Sequence, residues 1–387
     1  VNTEHSHRAK GCPVPRDSLR VNQHQSSLWN GAAASGHVPR AVPRNAEGCV
    51  DCGSCLHGCA FGSKRSTHVT WLQDGLDSGN IILVPNAKVD KVLVDAGRAV
   101  GVEATVTPPK GAGDGDATAL TVRARAVVVS GGAIHTPAIL LRSGLKHPMI
   151  GRHLCLHPVL VAGGVFPEDY DRDHDHDHDH DGAPDTGDDS SRHARQESLD
   201  ASKRAMATQK EKTEVAASGS EGAVAIGMCQ REPSVGRGVM MGVYVQELMR
   251  LDGGYGCVIE APPTHPGLMG LVLPWNDGLT HRLLVAMSRE TSVFLCIGRD
   301  RSSNDNRVVL GPTGDPVIKY TLGEEDSRVI LQGRSEMLRM MRKAGASMLV
   351  SAHEGAPWFC PEDGKEGDEQ FEDYVNAIES LGTTINE

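Results

Sequence analysis

The run Ala126-Val-Val-Val-Ser-Gly-Gly-Ala-Ile-His-Thr-Pro-Ala-Ile-Leu-Leu-Arg-Ser-Gly-Leu145 constrains this chain more than any other, because an apolar stretch breaks on two glycines and resumes with helical spacing. Val127 to Val129 are β-branched and uninterrupted, the pattern of a strand buried on both faces. Gly131 and Gly132 carry no Cβ, so a ligand can lie against their backbone. Pro137 suits the first turn of a following helix. The spacing predicts a strand, a nucleotide-hugging turn and a helix.

At 387 residues and 39% hydrophobic content, the chain is long enough for two domains with appendages. Its net charge of −11 argues against nucleic acid as a partner, since phosphate binding needs clustered Lys and Arg. Much of that charge falls in Asp169-Tyr-Asp-Arg-Asp-His-Asp-His-Asp-His-Asp-His-Asp-Gly182. The polar sequence continues to about Ser220, and residues 168–222 are expected to be a disordered insertion. In an extended chain His174, His176, His178 and His180 would share one side and could take Zn²⁺ or Ni²⁺; the plainer reading is a low-complexity surface insertion. No run of 18 apolar residues occurs, so no transmembrane helix is expected.

Val1-Asn-Thr-Glu-His-Ser-His7 does not read as a signal peptide, and without an initiator Met the chain is expected to start inside a longer protein. Its other end supports the same expectation. Glu369 to Leu381 reads as an amphipathic helix with Phe371, Tyr374, Val375 and Ile378 on one stripe, and the sequence stops six residues later.

Cys49-Val-Asp-Cys-Gly-Ser-Cys-Leu-His-Gly-Cys59 has the spacing C-x2-C-x2-C-x3-C of an iron–sulfur ligand run. Gly53 and Gly58 permit the tight turns such a wrap needs. Ala60 stands where a proline usually follows, and no second run supplies a partner cluster. A zinc site, or a turn with free thiols, would have the same spacing. Cys12, Cys155, Cys229, Cys257, Cys296 and Cys360 are scattered and indicate no oxidising compartment.

Between these two features, Gly62 to Leu76 reads as a helix capped by Ser66 or Thr67, with Val69, Leu72 and Leu76 inward. Ile81 to Val84 reads as a strand, Asn86 to Glu103 as a hairpin turning at Asp95-Ala-Gly97, and Leu120 to Arg125 as a third strand. Gly111 to Asp116 is a polar hairpin connection. Further on, Gly270 to Pro274 and Ser292 to Ile297 suggest an antiparallel sheet, and Val308–Leu310 with Ile318–Tyr320 flank a turn at Pro312 to Asp315. A helix from Asp326 to Ala344 is expected to bury Val329, Leu331, Met337 and Met341.

These blocks together resemble the glucose–methanol–choline (GMC) oxidoreductases, a flavoprotein family. Gly132 to Leu145 resembles a family signature, with Lys146 where glycine is usual. Asn86-Ala-Lys-Val89 and Arg98-Ala-Val-Gly-Val-Glu103 resemble the meander that contacts adenine, and Gly151-Arg-His-Leu-Cys-Leu-His-Pro158 the G-x-x-L-x-x-H-P that follows. Within the family the likeness is closest to long-chain alcohol oxidases. It rests on Pro43-Arg-Asn45, Cys52-Gly-Ser-Cys55, Gly58-Cys59, Gly62-Ser-Lys64, Ser143-Gly-Leu-Lys146 and Leu156-His-Pro-Val159. Tyr255 to Glu260, Thr264-His-Pro266, Leu273-Pro-Trp275 and Arg299-Asp300 extend it.

The resemblance implies an α/β (α+β) chain: a partial FAD-binding GMC fold with a β-meander, plus an antiparallel-sheet substrate domain. The expected division is 1–68 as a Cys-rich connecting segment, 69–167 as partial FAD-binding domain, 168–222 as insertion, 223–360 as substrate domain and 361–387 as a helix leading toward a catalytic segment. FAD is the implied cofactor, with Ala87 and Val89 meeting the adenine through their backbone and Gly131, Gly132 and Ala133 running beside the nucleotide. The implied reaction is oxidation of a long-chain primary (fatty) alcohol to its aldehyde, with O₂ giving H₂O₂. Intracellular, peripheral membrane association is a further family expectation.

The family's G-x-G-x-x-G unit is absent from the 387 residues. No catalytic residue is assigned, and this chain alone is expected to be inactive. Ser351-Ala-His353 superficially resembles the opening of the catalytic segment but precedes the 369–381 helix, so His353 is not assigned as the base. His135 and His157 sit in packing motifs and read as structural. No metal is assigned; an iron–sulfur electron carrier using Cys49, Cys52, Cys55 and Cys59 is one alternative, and a non-catalytic GMC-like scaffold another.

Overall fold

The computed structural model describes residues 22–50, 52–53, 55, 58–108, 116–166, 242–262, 282, 285–353, 356–361 and 367–383. The His-Asp run, the Gly111–Asp116 loop apart from Asp116, and Gly270 to Pro274 lie outside them. In chain order the first elements are α1 (Gln23–Ala34), β1 (Arg40–Ala41), α2 (Trp71–Asp77), β2 (Ala87–Asp95), β3 (Arg98–Val106), β4 (Thr118–Arg123) and α3 (Gly132–Arg142). Then come β5 (Val159–Val165), β6 (Val243–Val245), β7 (Cys257–Glu260), β8 (Thr291–Gly298), β9 (Arg307–Leu310) and β10 (Pro316–Lys319). The last are α4 (Glu324–Lys343), β11 (Met348–Ser351), β12 (Trp358–Phe359) and α5 (Gly367–Ser380). This is the mixed helix-and-sheet architecture, with antiparallel sheets, that the sequence leads one to expect.

The residues gather into two compact units, each discontinuous in sequence. The first takes 1–64, 158–299 and 324–387. Its sheet runs β1-β6-β7-β8-β5-β11-β12, antiparallel at every pairing. Ser292 to Ile297 lies in β8, a central strand with Val293, Phe294 and Cys296 buried. Helix α4 packs on β5, β7 and β8, α1 packs on β6, β8 and α4, and α5 packs on α4. The amphipathic pattern of α4 works as read: Val329, Met337 and Met341 are buried, joined by Ile330, Leu338 and Met340, while Leu331 is half-buried. The α5 stripe Phe371, Tyr374, Val375 and Ile378 is buried too. Phe371 meets Phe359 of β12 edge-to-face and Tyr374 meets it tilted, each at 5.4 Å between centroids.

The second unit takes 65–157 and 300–323. Its three-stranded meander is β2-β3-β4, and the first hairpin turns on Ala96 and Gly97, both with positive φ (46° and 79°). Two positive φ values in a two-residue loop match the right-handed twist of the flanking strands. The third strand begins two residues earlier than the sequence suggests, at Thr118. β9 and β10 form the expected hairpin around Pro312 to Asp315.

Three local expectations fail in this unit. Val127 to Val129 is extended but belongs to no strand, and Val128 is 88% exposed. Ile81 to Val84 is likewise outside any strand, with Ile82 91% exposed. A strand buried on both faces needs neighbours on both sides, and among the described residues neither segment has one. The helix expected from residue 62 is reduced to a 3₁₀ turn over Thr67–Val69 and α2; Ser66 does not cap it but pairs its Oγ with His68 Nδ1 at 2.8 Å.

Candidate functional site

The nucleotide-contacting candidates all fall in the second unit and are connected through α3. Ala87 and Val89, half-buried on β2, pair with Val106 and Ala104 of β3. A register shift between Val89 and Lys91 leaves Asp90 outside the regular ladder. The Asp90 carbonyl accepts from Arg142 Nε at 2.7 Å, and its carboxylate accepts from Thr105 Oγ1 at 2.8 Å. Arg142 Nη1 also donates to the Gly314 carbonyl at 3.1 Å. Ser143 Oγ receives the Val92 N–H at 2.8 Å and donates to the Ile139 carbonyl at 2.7 Å. The C-terminal end of α3 is thus tied to the meander and to the β9–β10 turn.

At the other end of α3, about 15 Å away at 1.5 Å per residue, stand Gly131, Gly132 and Ala133, all exposed. The N-cap Gly131 offers no side chain to the first-turn N–H groups. Those donors and the positive end of the helix dipole meet the exposed turn. Gly132 has φ of +77°, and a Cβ built there would meet nothing within 4 Å, so the turn is open to a group laid against its backbone. Pro137 does not open the helix; it sits one turn further in, where its missing N–H leaves the Ala133 carbonyl without that helical donor.

Ala133, Thr136, Pro137 and Leu140 line a cavity of about 300 Å³, whose opposite wall is Ile150 to Cys155. That wall is held from below. Gly151 accepts the Val308 N–H at 2.7 Å, and the Leu154 N–H reaches the Asn306 carbonyl at 2.9 Å. His153, at φ of +59°, pairs Nδ1 with Ser302 Oγ at 2.7 Å. Both carboxylate oxygens of buried Asp300 accept the Leu156 N–H, at 3.1 and 3.0 Å, and Tyr320 donates to Asp300 Oδ2 at 2.7 Å. The sequence marks Arg299-Asp300 only through resemblance; the anchoring roles of Arg142, Ser143 and Tyr320 had no signal in spacing. His135 and His157 are both exposed, so neither is a core packing histidine.

The turn therefore fits a nucleotide cofactor on geometric grounds: an uncapped helix start, a glycine in the left-handed region with clear space, and an adjoining cavity. The cysteine run gives a different picture. Cys49 is exposed and Cys52, Cys55 and Cys59 are half-buried, and no three His, Cys, Asp or Glu side chains among the described residues converge to hold a metal ion. Nor, among them, is any helix long and apolar enough to cross a membrane.

Residues 10–159 match the family model described as GMC oxidoreductase. The chain is 26% identical over 334 residues to the long-chain-alcohol oxidase FAO4A of Arabidopsis thaliana, covering 84% of this chain and 36% of that protein. It is 39% identical over 149 residues to FAO4B of the same plant, covering 36% of this chain and 19% of that one. The chain spans about two fifths of the length of the curated relatives it matches over most of its own length. Among solved structures, pyridoxine 4-oxidase from Mesorbium loti aligns with 94% of this chain and 58% of its own at 12% identity, with a TM-score of 0.43, too loose a likeness to carry a conclusion.

Proposed function

We propose, on the premise that residues 10–159 belong to the GMC oxidoreductase family, that the chain forms part of an FAD-dependent oxidase of long-chain primary alcohols. The observation that carries the reading is the open Gly131–Ala133 turn at the uncapped start of α3, inside the matched segment. Bound here, FAD would supply the hydride acceptor for the alcohol, with O₂ the final electron acceptor in the proposed reaction.

The chain's own residues bind and orient. The first-turn N–H groups of α3 and the Gly132 backbone offer donors and close approach to an anionic or polar edge of the nucleotide. Ala87 and Val89 offer backbone groups on a strand whose position Arg142 and Ser143 fix. The cavity wall 150–155, locked by Asp300 and Ser302, keeps the turn's open side shaped. The long-chain-alcohol oxidase relatives support the aliphatic substrate class. No proton-abstracting residue is assigned, because no described imidazole stands in a geometry that selects it.

The test is a visible spectrum and denaturing flavin release on the purified 387-residue chain, with Gly132→Val beside it. Flavin bands lost in the variant support the reading. A wild-type protein that takes up no FAD at micromolar concentration refutes cofactor binding by this chain, and a flavin-loaded protein that long-chain alcohols do not bleach anaerobically refutes the substrate class.

A further inference from the structure

The large sheet of the first unit has two faces, and α1 and α4 pack on one of them. A methyl at Gly333 of α4 would meet the Cys257 and Cys296 sulfurs, and Ser27 of α1 meets Ser292 of β8 at 3.3 Å between hydroxyls, so both helices lie on the face that carries Ser292 and Cys296. Side chains alternate along a strand, and Leu295 and Ile297 of β8 therefore point to the other face. The register carries that face across its neighbours. Tyr244 of β6 stands opposite Glu260 of β7, Glu260 opposite Leu295, and Leu295 opposite Val161 of β5, which makes one straight row over four strands. A second row, Val258, Ile297 and Val159, runs beside it. Every member of the two rows is half-buried or, at Val159, exposed.

Glu260 sits in the first row between a phenol and two aliphatic side chains. Arg40, opposite Tyr244 on β1, is two strands from it, roughly 10 Å by strand spacing. Among the described residues burial alone acts on the Glu260 carboxyl, raising it above its ordinary range with no cation and no donor to offset the shift. A partly desolvated carboxylate without a donor costs free energy, and a ligand that supplies the donor recovers it. The aliphatic neighbours call for the rest of that ligand to be apolar.

We propose that Glu260 accepts the hydroxyl of a primary aliphatic alcohol, whose chain lies over Leu295, Val161 and Ile297 toward the β5 edge of this face. The two strand steps from Glu260 to Val161 give such a chain roughly 10 Å of apolar surface. A chain ending in a carboxylate would set two anions against each other, and one ending in an ammonium would bring a second charge to be desolvated; a hydroxyl donates and brings none. The choice of an alcohol rests on the oxidase reading above, whereas the apolar rows and the donorless carboxylate do not. Glu260 is here a binding residue, and no proton transfer is assigned to it.

The purified 387-residue chain, with ¹³C-labelled Ile, Leu and Val methyl groups, is titrated with decanol and followed by NMR. Signals of Val161, Val258, Leu295 and Ile297 should move, while Ile259 and Ile330, buried on the helix-covered side, should stay. Decanol should bind about tenfold more tightly than its methyl ether, which keeps the chain and loses the donor, as expected for a hydrogen bond to a charged acceptor. Glu260→Leu should erase that preference and still bind the ether, and Glu260→Gln, which keeps an uncharged acceptor, should retain part of it. Equal affinity for alcohol and ether in the parent chain, methyl shifts confined to other residues, or binding of decylammonium without binding of decanol would each overturn the proposal, and none of these needs a variant to fold. Flavin plays no part in the titration, so a chain that takes up no FAD leaves this test standing, and a decanol site elsewhere leaves the oxidase reading standing.

Discussion

Gly333 faces the two sulfurs of the sheet beneath α4. A methyl group there would overlap Cys257 Sγ and come within 2.8 Å of Cys296 Sγ, and both cysteines are buried. Gly333→Ala should therefore cost about 1–3 kcal/mol, the usual penalty for overpacking, with Cys257→Ala in the same chain recovering most of it. Urea midpoints for the two variants and the parent chain decide the matter; an unchanged midpoint in the single variant would show that α4 shifts freely. His24 is fully buried, and its Nδ1 accepts the Val293 N–H at 3.1 Å. Burial lowers its pKa from 6.5 to about 3. The unfolded chain takes up a proton below pH 6.5 while the folded one does not until about pH 3, so this stability is complete above 6.5 and lost as the pH falls toward 3. The slope approaches about 1.4 kcal/mol per pH unit, or roughly 2 kcal/mol between pH 6.5 and 5. His24→Asn, which keeps an acceptor but cannot titrate, should flatten that part of the stability curve. The same slope in both proteins would mean that other groups carry it. None of this was readable beforehand: a histidine among Asn22, Gln23 and Gln25 carries no mark of burial, because its partner, Val293 of β8, lies 269 positions away.

α3 shows how an element is placed by its last turn. Arg142 makes two hydrogen bonds to carbonyls of other elements, Asp90 on β2 and Gly314 in the β9–β10 turn, and Ser143 adds the Val92 N–H. Charge-assisted bonds of this kind are each worth about 1.5–3 kcal/mol. Arg142→Ala should destabilise the second unit by about 3 kcal/mol, the low end for two such bonds, and weaken any flavin binding with it. Arg142→Lys should recover little, since an ammonium cannot reproduce the planar fork. Paired thermal melts with and without FAD are the measurement; equal loss in apo melting with unchanged flavin affinity would separate the anchor from the site. Elements of this kind were legible where the pattern is local. The α5 stripe, the α4 face and the Ala96-Gly97 hairpin depend on periodicity and turn chemistry within a dozen residues. Ile81–Val84 and Val127–Val129 were misread for the opposite reason: their composition is that of buried strands, but a strand exists only with a partner, which no local pattern supplies.

Across the molecule the two units differ in how much they bury. Among the described residues of the second, the buried apolar side chains are Val92, Ala104, Ala138, Leu154, Val308 and Leu322, while β4 has no buried residue and α3 buries only Ala138. The first has a central strand buried along most of its length under α1 and α4. The turn at Gly131–Ala133 was visible in the sequence as a glycine pair before a helix, because it needs only its own residues. The wall that Asp300, Ser302 and Tyr320 support was not, since 300–323 joins 65–157 across a long stretch of the other unit. Local opening costs least where few apolar contacts must be broken, so amide hydrogen exchange should rank the units. Amides of β5 and β8, paired over seven registers from Val159–Ile297 to Val165–Thr291, should exchange slowest. Those of β4, exposed on both faces except at Leu120, should exchange orders of magnitude faster although each is formally in a ladder with β3. Saturating FAD, if held by the second unit, should slow exchange at the start of α3 and in β2 and leave β8 unchanged. Protection of β4 equal to that of β8 in the free chain would show that the second unit is stabilised by something other than its buried apolar surface.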